Sequence, residues 1–197
     1  MKLLHTLFSG INTQKKTPFT NQREILEKYD QGINDNGELV GMCRPMSNTY
    51  LDLILKEKNP TEYLADDKEF LALSIHEENK ELFATQAGER DIDHFSFKEN
   101  NLFHTDATFK KNELTSEQFT NLLEDNQHLL ITFPQQRDAH EVYLGKKSRQ
   151  SSTCRFFDAN LNGGERIDSC QSLIPQVVKL IESQYSQEDK PFSIGMG

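Results

Sequence analysis

The sequence predicts an α+β fold, with a helical N-terminal half packed on a C-terminal antiparallel sheet. Three observations predict it. Between Cys43 and Gly88 apolar residues recur at helical spacing. From His128 onward, short apolar runs alternate with polar turns, the pattern of strands joined by tight connections. The helical signals come first and the strand signals later, which favours an antiparallel sheet over alternating βα units. The 197 residues suit one domain with one core.

Residues 1 to about 20 are polar, with Gly10, Asn12 and Pro18, and read as a flexible leader. The remaining 21–197 read as a single domain. Thr20 to Tyr29 suits a short helix, and Gln31 to Gly37 is rich in turn residues. Met46, Tyr50, Leu53 and Ile54 then form one apolar helical stripe. Pro45 fits only a first turn, where its missing N–H has no partner to lose, so this helix starts near Cys43. It ends before Asn59-Pro60. A second helical region runs from about Thr61 to Thr85, broken once, with Gly88 as its stop. Residues 90–113 fit either irregular structure or short strands, anchored by Phe95, Phe97, Phe103 and Phe109. Thr115 and Gln118 match a capping box, opening a helix to Asn126.

The strand-like runs are His128 to Phe133, Ala139 to Leu144 and Thr153 to Asp158. Asn162-Gly163-Gly164 is a turn, with no Lys-Ser/Thr after the glycines to make it a phosphate loop. A last helix is expected from Leu173 to Tyr185, and Pro191 to Met196 as an edge strand.

The charge is −9, from 31 acidic and 22 basic residues without a long like-charge block. That balance argues against nucleic acid or an anionic membrane as a partner and suits a protein or peptide with a basic segment. No apolar run approaches the roughly 20 residues that cross a bilayer. His5 interrupts the short apolar stretch at the N-terminus, which makes a poor signal peptide. Cys43, Cys154 and Cys170 make an odd count without C-x-x-C, which predicts no disulfide framework, no zinc site and a reducing environment. Cys154 and Cys170 read as core residues. His76, His94, His104 and His128 lack partners at ligand spacing, so no metal and no cofactor is expected.

The chemistry-bearing candidates are Cys43, His140 and Asp158. A thiol in the first turn of a helix meets unpaired N–H groups and the positive end of the macrodipole, both of which favour thiolate, the nucleophilic form. Gly41 lets the backbone turn into that helix and leaves room for a substrate. His140 begins a strand, where its ring is rigid and reachable, and can shuttle a proton to and from the thiol. Asp158 ends the next strand and would orient that ring. Each has an ordinary structural reading: a small buried hydrophobe, a satisfied histidine, an Asp-x-Asn turn. Together, in the order Cys, His, Asp on a helix-then-sheet plan, they point to nucleophilic catalysis.

Gly41-Met42-Cys43-Arg44-Pro45-Met46-Ser47-Asn48-Thr49-Tyr50-Leu51 resembles the nucleophile segment of the YopT/AvrPphB-like cysteine proteases. That segment has a Gly two before the Cys, a Ser four after it and an aromatic seven after it. Ala139-His140 and Phe156-Phe157-Asp158-Ala159-Asn160 resemble the family's other two motifs. The departures are Tyr50 for the usual Trp, Ala159 for a Pro, and an Ala before the His instead of after it. The resemblance implies a papain-like fold and peptide-bond hydrolysis by Cys43, His140 and Asp158. It also implies a secreted bacterial effector acting on a protein in the host cytoplasm. Papain-like enzymes carry an amide side chain shortly before the Cys as an oxyanion donor. Position 38 is Glu, which cannot donate when ionised. Asn36 is the nearest candidate and Asn34 the next, beside the Cys43 N–H. Deamidation, transglutamination and isopeptide cleavage would use the same site, and a non-catalytic protein-binding module remains the reading outside enzymes.

Overall fold

The computed structural model describes residues 15–33, 36–37, 40–108, 114–134, 139–185 and 191–197. Five helices open it: α1 (Gln22–Lys28), α2 (Cys43–Leu55), α3 (Pro60–Leu64), α4 (Asp67–Gln86) and α5 (Ile92–Glu99). Strand β1 (Phe103–Thr108) and helix α6 (Ser116–Asp125) follow. Then come β2 (His128–Pro134), β3 (Ala139–Lys146), β4 (Thr153–Phe157), β5 (Glu165–Ser169), α7 (Cys170–Gln184) and β6 (Pro191–Met196). The strands form one antiparallel sheet in the order β1-β6-β2-β3-β4-β5.

Strand parity decides which side chains meet which helices. Leu129, Ile131 and Phe133 of β2, with Val142 and Leu144 of β3, pack against α6 and α7. Leu130 and Tyr143, of opposite parity, pack with α1, α2, α4 and α5. The sheet is therefore covered on both faces, which is why β2 reads as a continuous apolar run and not an alternating one. On the α2 face, Tyr50 stacks on Phe157 at 4.8 Å between centroids and tilts against Tyr143 at 5.1 Å.

The α+β plan predicted from sequence matches this arrangement, and five details differ. Pro191 to Met196 is not an edge strand; β6 lies between β1 and β2, with Ile194 paired to Thr105 on one side and Ile131 on the other. The ambiguous 90–113 region contains α5 and β1, while Phe109 lies outside the described residues. Strand β5 was not foreseen; it pairs with β4 across the Asn162-Gly163-Gly164 turn, where Gly164 has φ +69° and an added Cβ would strike Phe157. Helix α7 starts three residues before the expected Leu173, because the Ser169 side chain accepts the Ser172 N–H as its cap. The expected leader also ends early: Phe19 is buried against Phe70 and Phe157, and the Asp67 N–H donates to the Thr17 carbonyl.

The cysteine expectation is corrected more strongly. Cys154 and Cys170 are joined in a disulfide, their Cα atoms 4.7 Å apart, and Cys43 is the free thiol. Sixteen residues separate the pair in sequence, and only the folding of β5 back along β4 brings the start of α7 against Cys154. The bond removes the support that an odd cysteine count gave to a reducing environment.

Candidate active site

Three elements end at one place: the N-terminus of α2, the start of β3 and the end of β4. Cys43 is the first residue of α2, whose N-cap position, Met42, makes no side-chain cap. The first-turn amides around the thiol are thus left for other partners. Cys43 is half-buried, and its Sγ lies 3.9 Å from the Ala139 carbonyl at the head of β3.

His140 Nε2 lies 2.9 Å from Asp158 Oδ1, so the ring presents Nδ1 to other groups. The Asp158 carboxylate is fully buried and fully engaged: Oδ1 also accepts the Asn160 N–H at 2.9 Å, and Oδ2 accepts the Tyr185 hydroxyl at 2.6 Å. Tyr185 stacks on the imidazole at 4.6 Å, and Phe133 meets it edge-on at 5.4 Å. Burial opposes protonation of His140, but its hydrogen bonds with Asp158 and Cys43 outweigh that and raise its pKa to about 10. Burial pushes the Cys43 thiol up. The hydrogen bond and charge of His140, the Glu141 amide and the Arg44 charge together overcome it and leave the thiol below its ordinary value. A lowered thiol joined to a raised imidazole favours the thiolate–imidazolium form near neutral pH.

Of the sequence candidates, the fold thus gathers Cys43, His140 and Asp158. Asn36 is an exposed turn residue, and Asn34 and Glu38 lie outside the described residues. Sequence reading did not single out Gln22. This residue of α1 is buried; its Oε1 accepts the Met42 N–H at 2.7 Å, and its Nε2 donates to Asn160 Oδ1 at 2.5 Å. One side chain therefore links the residue before Cys43 to the loop that holds Asp158. An added Cβ at Gly41 would come within 3.2 Å of that Gln22 amide, which gives the glycine a steric role. Tyr185 enters the sequence reading only as the end of the last helix. The signal available for either was a polar side chain on an otherwise apolar helix face.

Among the described residues no three His, Cys, Asp or Glu side chains are grouped to hold a metal ion, and no helix is long and apolar enough to cross a membrane.

Helices on both faces of an antiparallel sheet, with a cysteine heading one helix beside a strand-borne histidine, make this a mixed α+β fold consistent with a papain-like arrangement. The crystal structure of the Pseudomonas avirulence protein AvrPphB has a similar fold, with a TM-score of 0.52 over 84% of this chain and 94% of that one. The aligned sequences are 15% identical, so the likeness speaks to the fold. No family model matches the chain, and no curated protein does.

Proposed function

We propose that the chain is a papain-like cysteine protease that hydrolyses a peptide bond in a protein target through Cys43, His140 and Asp158. The observation that supports it most is the His140 ring, hydrogen-bonded to a buried carboxylate on one side and raised in pKa by the free thiol as well as by that carboxylate. In this reading the Cys43 thiolate attacks the scissile carbonyl carbon. The oxyanion is held by the Cys43 N–H and a side-chain amide: Asn36 or Asn34 from the sequence pattern, or Gln22, whose Nε2 has a second hydrogen beyond the one given to Asn160. Imidazolium gives its proton to the departing amine, leaving a thioester. Neutral His140 then takes a proton from water as the water oxygen attacks the thioester carbon. Expulsion of the thiolate releases the acid and restores the ion pair. Asp158 fixes the tautomer and steadies the imidazolium.

The charge of −9 supports a target with a basic segment. The sequence resemblance and a fold similar to an avirulence protein support a secreted effector acting in a host cell. The test is incubation of the purified protein with candidate substrate proteins, read by intact and terminal mass analysis beside Cys43→Ala. New termini that require Cys43 are expected. A gain of about one dalton without new termini would make the enzyme a deamidase, and binding without any covalent change would make it a binding module.

A further inference from the structure

Arg44 directly follows the candidate nucleophile, and Glu141 directly follows the candidate base. The two meet behind the site. Arg44 Nε lies 4.0 Å from Glu141 Oε2, its other nitrogens 2.7 Å from Asp93 Oδ1 on α5 and 3.7 Å from Glu81 Oε2 on α4. The Glu141 side chain, 1% exposed, accepts from Thr132 Oγ1 at 3.0 Å and from Asn48 Nδ2 at 3.3 Å. Its backbone carbonyl accepts from Ser47 Oγ at 3.0 Å. Arg44, Ser47 and Asn48, at positions i, i+3 and i+4 of α2, therefore all face a single residue of β3.

We infer that Arg44 is a positioning residue: it ties the helix bearing Cys43 to the strand bearing His140, and its guanidinium holds Cys43 as thiolate. This rests on the reading of Cys43 as nucleophile. A half-buried cation facing three carboxylates would be expected to be neutralised, but the burial of two of those acids opposes that. It raises Glu141 well above an ordinary carboxyl and Glu81 to about 7. Both shifts weaken these acids as partners of the guanidinium, and the closest carboxylate contact of Arg44 is Asp93 at 2.7 Å. Part of the positive field remains for the thiol, and the Arg44 charge does lower Cys43.

The test is the pH dependence of Cys43 alkylation by iodoacetamide. Arg44→Met is expected to raise the midpoint by about one pH unit, a tenfold loss of thiolate at any pH well below it. Arg44→Lys restores the wild-type midpoint. Glu81→Gln removes a nearby negative charge and lowers the midpoint, so it decides the matter even if Arg44→Met does not fold. Opposite shifts are the signature of a field, which a packing role would not produce. A low wild-type midpoint that neither folded variant moves would overturn this inference alone. A wild-type midpoint in the ordinary thiol range, indifferent to His140→Ala, would overturn the hydrolase reading and this inference with it.

Discussion

At the scale of single residues, the site is governed by what surrounds one imidazole. His140 is 3% exposed, yet it is not a desolvated neutral ring, because Asp158 on one side and Cys43 on the other both favour its protonated form. The alkaline limb of activity should therefore fall near pH 10, where the raised imidazole loses its proton, and the acid limb should lie below the ordinary thiol range. A rate profile against pH checks both. Stability follows the same titration. The folded pKa is raised from 6.5 to about 10, so the contribution of His140 is complete below about 6.5 and is lost as pH climbs through about 10. Denaturant midpoints of wild type and His140→Ala should thus converge toward alkaline pH. Tyr185 acts through Asp158, donating to the oxygen that faces away from the ring. Tyr185→Phe should lower kcat about tenfold with KM unchanged, the size expected for a hydrogen bond to a buried charge. An unchanged kcat would reduce the hydroxyl to a packing contact.

At the scale of elements, the site is the meeting of three ends, and their legibility in the sequence differs for physical reasons. The start of α2 was legible because Pro45 tolerates only a first turn and Met46, Tyr50 and Leu53 repeat at helical spacing. The end of β4 was legible because Phe156-Phe157 runs straight into a turn. Gln22 was not legible, since nothing local says that an amide on α1 will reach the residue before Cys43 across twenty positions. The place of β6 was hidden too: Phe192 and Ile194 alternate as an edge strand would, and only the pairing partners β1 and β2 make it interior. The Cys154–Cys170 bond was missed for a similar reason, because strand β5 that delivers Cys170 was itself unseen. Its expected effect belongs to β4 and α7. Replacing both cysteines by alanine should cost about 3 kcal/mol of unfolding free energy, from a loop of this length, measured by denaturant titration. Alkylation of Cys43 should remain as fast as in the wild type. A bond that is structural in this way stabilises the frame without entering the chemistry.

At the scale of the whole molecule, a helical half and a sheet half each supply part of the site, so the site exists only when they are packed together. The thiol comes from position 43 and the imidazole from position 140, and the α2–β3 contact that joins them is made by Ser47, Asn48, Arg44 and Glu141. The most direct measurement of the central claim is the ultraviolet thiolate absorbance of the native protein against pH, taken as the difference between wild type and Cys43→Ala. The account predicts a thiolate signal that appears below the ordinary thiol range, and its displacement upward in His140→Ala. A signal that rises only in the ordinary thiol range, identically with and without the imidazole, would contradict it.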